Sequence, residues 1–205
     1  MSFAEKQAYF DEIAPHWDQW TSPETVAARL RSELASWRIE PDERIVDLGC
    51  GTGNLTLVLL EILSPAGRVV AVDPAGKMLT VARAKNPDSR VSWAQTDAAH
   101  LPLAARSADR VICFSVWPHL DDPAAALVEF HRVLKPGGFL HVWHIDSKET
   151  INKVHASAGP AVACDVLLPA VQLAELASAA GFIPVEVVDD DHRYLVSARR
   201  QAGGE

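Results

Sequence analysis

Hydrophobic residues along this chain follow two alternating rhythms: short apolar runs of strand length, and longer stretches in which apolar side chains return every three or four positions. The first run opens at Arg44-Ile45-Val46 and passes through glycines at alternate positions, Gly49, Gly51 and Gly53, into Leu55-Thr56-Leu57-Val58-Leu59-Leu60. That second stretch is too long and too rich in leucine to be another short strand, so strand, glycine loop and helix are predicted. Arg68 to Val72 reads as a second buried strand terminating in Asp73. Gly76 to Lys85 reads as a helix with Met78, Leu79 and Ala82 inward, stopped by Asn86-Pro87. Arg90 to Thr96 alternates as a third strand and delivers Asp97, and Arg110 to Ser115 is a fourth. Asp122 caps and Pro123 opens a helix carrying Leu127, Phe130 and Leu134. Lys135-Pro136-Gly137-Gly138 then breaks that helix before a fifth strand, Phe139 to Ile145.

The two ends of the pattern differ from its middle. Pro169 to Ala180 is predicted as the last helix, with Leu173, Leu176 and Ala177 inward and Gly181 at its C-terminal cap. Phe182 to Val188 and Tyr194 to Ala198 follow as strands joined only by an acidic turn, Asp189-Asp190-Asp191. A parallel crossover needs a dozen residues or more, so this pair must run antiparallel. The opening residues, 1–40, are helical and amphipathic: Ser22-Pro23-Glu24 starts a helix, and Val26, Leu30, Leu34 and Trp37 share one stripe. Ahead of it Tyr9, Phe10, Trp17 and Trp20 make an unusually aromatic leader.

Composition narrows the partners. The 205 residues suit one domain that can bury a core without staples, and three widely separated cysteines, an odd number, give no disulfide framework. A reduced cytoplasm is the expected location, since no signal peptide is read and no apolar run approaches a membrane span. A net charge of −8 argues against a broad phosphate-binding surface, so no nucleic acid and no membrane is expected as partner. A small molecule is, on a monomer or homodimer.

The glycine loop carries the chemistry. Glycine has no Cβ, so such a loop turns sharply and brings its backbone against a ligand above the strand's carboxyl end. A Walker loop is excluded, because no lysine follows these glycines. A dinucleotide fingerprint is disfavoured by Asn54, which stands where its third glycine belongs. Asp73, at the end of the second strand, is placed to accept hydrogen bonds from both hydroxyls of an adenosine ribose.

Asp47-Leu48-Gly49-Cys50-Gly51-Thr52-Gly53 closely resembles the motif of class I S-adenosylmethionine-dependent methyltransferases. Leu134-Lys135-Pro136-Gly137-Gly138 before an apolar strand and the terminal hairpin fit the same family, and the aromatic leader is similar to the opening of ubiquinone and menaquinone C-methyltransferases. The resemblance, over about residues 40 to 200, implies an α/β Rossmann-like sheet of seven strands in the order 3-2-1-4-5-7-6, the last antiparallel, with helices on both faces. It implies an S-adenosylmethionine-binding domain over 41–205, an N-terminal cap or lid over 1–40, and methyl transfer to a small-molecule nucleophile. Gly49, Gly51 and Gly53 would approach the methionine end, and Asp47 would organise the loop or meet the ammonium through water. Asp97 would hold the adenine amino group, with the backbone N–H of Ala98 facing a ring nitrogen. Pro74, Phe114 and Trp17 complete the implied cofactor set, Trp17 because aromatic faces attract the positive sulfonium.

Acceptor chemistry is expected from the insertion at 146–168, above the carboxyl edge of the sheet. His144, Asp146, His155, Cys164 and Asp165 are candidates to converge there, either for acid–base and orienting chemistry or for a metal. No compact metal spacing such as H-x-x-x-H is present, so no metal is assigned. His144, His155 and His119 are the candidate bases; relatives carry His-His-Leu near the last, where Pro118 replaces the first histidine. Two rivals stay open, a nicotinamide-dependent oxidoreductase and a non-catalytic S-adenosylmethionine-binding sensor or partner protein. Asn54 and the terminal hairpin count against the oxidoreductase.

Overall fold

A computed structural model describes residues 3–202. Seven strands form one mixed sheet in the order β3-β2-β1-β4-β5-β7-β6. The strands are β1 (Arg44–Leu48), β2 (Arg68–Asp73), β3 (Val91–Gln95), β4 (Ala108–Phe114), β5 (Leu134–His144), β6 (Phe182–Asp189) and β7 (Tyr194–Arg200). By internal contacts the chain divides at Asp97/Ala98 into two compact units.

In the unit up to Asp97, β1, β2 and β3 run parallel, with Val46 opposite Val70 and Asp73 opposite Gln95. From Ile45 to Leu48 and from Val69 to Asp73 every residue is buried, the signature of parallel strands covered on both faces, whereas β3 is buried only at Val91. Among its described residues this unit has five α-helices: α1 (Phe3–Ile13), α2 (Trp17–Trp20), α3 (Pro23–Leu34), α4 (Asn54–Ile62) and α5 (Gly76–Lys85). Ser22 Oγ accepts from Thr25 N at 3.2 Å, so the serine-proline start of α3 is a true N-cap. The expected stripe on α3 buries Leu30 and Leu34, and Trp37 lies buried just beyond the helix end.

In the unit from Ala98, β4 and β5 are parallel, while β7 runs antiparallel to both β5 and β6, as the short acidic turn requires. Its helices are α6 (Pro123–Val133), capped by Asp122 through Ala125 N at 2.9 Å, α7 (Lys148–Ser157) and α8 (Ala170–Ala179). Two expectations need correction here. Leu134 is the first residue of β5, not the last inward residue of a helix, and it pairs with Ala108 while the next paired residue, Phe139, faces Arg110. The Lys-Pro-Gly-Gly stretch is therefore an irregularity inside the strand. Gly138 fits because a Cβ there would lie 2.8 Å from the carbonyl oxygen of Asp109. On α8, Leu173 and Ala177 are buried as expected, but Leu176 is 42% exposed and Ala174 takes the inward place.

One edge of the sheet is β3, the other β6. Its Ile183, Val185 and Val187 are exposed, Pro184 sits in the strand, and the pairing with β7 shifts register between Pro184 and Glu186. No helix among the described residues is long and apolar enough to cross a membrane.

Candidate active site

The glycine loop takes its shape from left-handed backbone at all three glycines, with φ of 64° at Gly49, 52° at Gly51 and 83° at Gly53. A residue with a Cβ adopts that region at a cost of roughly 1 kcal/mol or more. The two later glycines meet different surroundings. A Cβ on Gly51 would touch nothing within 4 Å, which leaves the backbone bare toward open space, whereas a Cβ on Gly53 would lie 2.7 Å from Asn86 Nδ2 and 3.2 Å from the Ala82 Cβ. Gly53→Ala is expected to destabilise the fold by about 1–3 kcal/mol, through backbone strain and crowding against α5. A chemical denaturation midpoint equal to that of the native chain would refute this.

Asp73 closes the loop from below. Its Oδ2 accepts from Gly51 N at 2.9 Å and its Oδ1 from Ala75 N at 2.8 Å, in a side chain only 8% exposed. Burial pushes its carboxyl up to about 6, against the lowering pull of those two backbone donors. Asp47 lies deeper, accepts from Thr56 Oγ1 at 2.6 Å, and is pushed up to about 7 by burial, with the neighbouring Asp73 adding to it. Its observed role is to tie the end of β1 to α4.

The leader is fastened to this loop by contacts that patterning did not reveal. Asp18 Oδ1 accepts from Thr52 Oγ1 at 2.7 Å and from Asn54 Nδ2 at 3.1 Å, and its Oδ2 meets Lys85 Nζ at 2.7 Å. Lys85 also donates to Asn54 Oδ1 at 2.8 Å. Burial raises the Asp18 carboxyl, but the donors Lys85, Thr52 and Asn54 together hold it below the usual range. Further along, Gln7 Nε2 donates to Pro74 O at 2.6 Å, and Asp11 Oδ1 accepts from Lys77 N in the first turn of α5 at 2.7 Å. Phe10, Ile13 and Trp17 pack on Ala14, Ala75 and Met78. Lys85→Met is expected to speed amide exchange in residues 3–20 roughly fivefold, because the partly exposed Asp18–Lys85 pair contributes about 1 kcal/mol. Unchanged exchange in the leader would show that the apolar packing alone holds it.

The unit from Ala98 holds a separate histidine cluster. His119 Nδ1 lies 2.6 Å from Asp165 Oδ2, His155 Nδ1 lies 2.6 Å from the carbonyl oxygen of Asp165, and the two imidazole rings are 4.7 Å apart. The insertion builds this arrangement. Ser147 caps α7 through Thr150 N, and Asn152 clasps the backbone of Leu167 with two hydrogen bonds, at 3.1 Å and 2.8 Å, bringing the Asp165 loop onto the helix. His144 ends β5 and is buried; the nearness of His119 and His155 adds to burial in pushing its pKa down to about 3. Cys164 is exposed on the loop, and among the described residues no His/Cys/Asp/Glu group is arranged to hold a metal. His141 belongs elsewhere, between Arg110 and Ser197 Oγ, the latter at 2.7 Å.

The remaining expected residues occupy strand ends. Asp97 is half-buried two residues after β3 and Ala98 follows it. Phe114 ends β4 with its ring 4.9 Å from that of Trp143, and Pro74 turns the chain between β2 and α5. Sequence patterning missed Asp18, Thr52, Asn54 and Lys85 as one network, since Lys85 reads as an ordinary basic residue in a last helical turn. It also missed Tyr194, which register sets directly across from His144.

The loop and Asp73 suit the nucleoside that the resemblance implies. A carboxylate offers about four lone-pair positions. Asp73 gives one on each oxygen to a backbone N–H, which leaves a second on each for a pair of hydroxyls beside the bare Gly51 backbone.

Residues 46–142 match the Methyltransferase domain family. A demethylmenaquinone methyltransferase of Lactobacillus johnsonii is 32% identical over 136 residues, which cover 63% of this chain and 56% of that one. A trans-aconitate 2-methyltransferase of Azoarcus is 38% identical over 131 residues, covering 62% of this chain and 50% of that one. The chain thus spans only about half the length of these two relatives. Among solved structures, a SAM-dependent methyltransferase from Aquifex aeolicus superposes over 95% of this chain and 98% of its own, with a TM-score of 0.71 at 21% identity. What the chain shares with these proteins is thus a methyltransferase-domain match from its glycine loop into its fifth strand, and a common fold over nearly its whole length.

Proposed function

We propose that this chain transfers a methyl group from S-adenosylmethionine to a small-molecule nucleophile, the unit up to Asp97 binding the cofactor and the unit from Ala98 handling the acceptor. The observation that carries the reading is Asp73, a buried carboxylate that organises the glycine loop while keeping acceptor capacity for a ribose. When bound, S-adenosylmethionine supplies a methyl group on a sulfonium, an electrophile already activated for in-line displacement. The protein's own share is to align the partners, an effect worth up to roughly 7–11 kcal/mol in intramolecular analogues, and to manage one proton.

The Gly49, Gly51 and Gly53 backbone lies against the methionine end, Asp73 holds the ribose, and Asp97 with the Ala98 N–H reads the adenine. Trp17, in the docked leader, covers this end and makes residues 3–20 a cap. His119, oriented through Nδ1 by Asp165, accepts the acceptor's proton on its other ring nitrogen, Nε2. His155 shares the same aspartate through its backbone carbonyl and flanks that base. Calorimetry with S-adenosylmethionine and with NADH tests the reading. Binding of the former alone is expected; NADH binding, or no heat with S-adenosylmethionine, overturns it.

A further inference from the structure

Two buried side chains in the histidine cluster have hydrogen-bonding atoms that no group among the described residues meets. Among the described residues neither Nδ1 nor Nε2 of His144 has a partner, nor does the hydroxyl of Tyr194, although His144 is 1% exposed and Tyr194 fully buried. Buried polar groups are almost always satisfied, and leaving one without a partner costs about 1–3 kcal/mol. Three such atoms in one place are therefore more than a packing accident.

The fold brings them together deliberately. His144 and Tyr194 are register partners in the antiparallel β5–β7 pair, so both project from the same face, with rings 5.8 Å apart edge to face. His119 and His155 lie close enough to His144 to act on it electrostatically. The unmet atoms thus belong to the acceptor side, beside the candidate base.

We propose that His144 and Tyr194 form a subsite for an uncharged oxygen, hydroxyl or carbonyl, of the methyl acceptor, with His144 a binding and positioning residue and not a base. The proposal rests on the methyl-transfer reading and names the substrate class for that site. Its chemistry follows from the side chains present. A neutral imidazole offers one N–H and one lone pair, and a phenol both gives and accepts, which matches a hydroxyl or a carbonyl. Burial pushes the imidazole down to about 3 and the phenol further above its usual value, so neither carries charge near neutrality. A carboxylate or phosphate would find no cation from this pair, and an ammonium no anion.

Tyr194→Phe is the discriminating variant, because it keeps the ring and removes only an unpartnered hydroxyl. Four probes of similar size serve in the presence of S-adenosylhomocysteine: phenol and acetophenone, which carry an uncharged oxygen, benzoate, and toluene. Phenol and acetophenone are expected to bind the native chain with clear preference over the other two. Tyr194→Phe should weaken them about tenfold, one hydrogen bond's worth, with an unchanged or raised melting temperature and unchanged S-adenosylmethionine affinity. Equal binding of toluene or benzoate overturns the proposal, as does an undiminished response in the variant. So does a lowered melting temperature without probe binding, the outcome if the hydroxyl serves only a structural water. The S-adenosylmethionine titration separates the failures: lost cofactor binding in the native chain sinks the methyltransferase reading, whereas intact cofactor binding with unresponsive probes sinks only the subsite.

Discussion

Asp73→Ala weakens S-adenosylmethionine binding by about 10²-fold or more, the largest effect expected from any single cofactor-side change. Two hydroxyls donating to one ionised carboxylate are worth roughly 1.5–3 kcal/mol each, and tenfold corresponds to 1.4 kcal/mol. Asp73→Asn should fall between, since an amide oxygen still accepts while its NH₂ opposes a backbone donor. The same side chain sets a pH dependence. Because burial raises its pKa in the folded state from 3.8 to about 6, the carboxyl favours the fold most below 3.8, and that contribution is lost as pH rises through about 6. Cofactor affinity runs the other way: the ionised form accepts from the ribose, so affinity falls as pH drops below about 6. Calorimetric titration of the native chain and of both variants between pH 5 and 8, about one unit below that midpoint and about two above it, measures this. An Asp73→Ala protein that binds within threefold of the native chain would rule out the ribose assignment.

His119→Ala lowers kcat about 10²–10⁴-fold, the usual worth of a positioned base, while S-adenosylmethionine affinity stays unchanged. The readout is transfer of labelled methyl to a panel of hydroxylated aromatic acceptors. Added imidazole should restore part of the lost rate, which a merely structural histidine would not allow. Asp165→Asn should also lower kcat, since the amide no longer favours the imidazolium that forms as the proton arrives and can hold the wrong tautomer at Nδ1. If His119→Ala turns over normally, or loses cofactor affinity in parallel, the base lies elsewhere.

The parallel half of this protein was readable from local pattern, because strands buried on both faces are nearly continuous apolar runs and each ends in its glycine or aspartate. The hairpin was equally readable, since chain length alone forbids a parallel return. Legibility failed where partners are set by register or by distant loops. Nothing near Tyr194 announces that it faces His144; only the β5–β7 pairing does. Asp18 and Lys85 are 67 positions apart, and each has an ordinary local explanation. Asp165 is one of several candidates in the sequence for convergence, and its place in the cluster, with Cys164 left exposed, depends on Asn152 pinning the loop at Leu167. Leu176 followed the helical stripe correctly and still points outward, because α8 packs on β6 and β7 along a path centred on Leu173, Ala174 and Ala177.

One detail of the sheet bears on how the protein survives in a crowded solution. An open β-edge carrying Ile183, Val185 and Val187 is the kind of surface on which a stray strand nucleates a growing stack. Pro184 lacks the amide that such a newcomer would need, and the slip in pairing beside it bends the ribbon out of the flat geometry that templating requires. The rim can therefore stay apolar without inviting polymerisation.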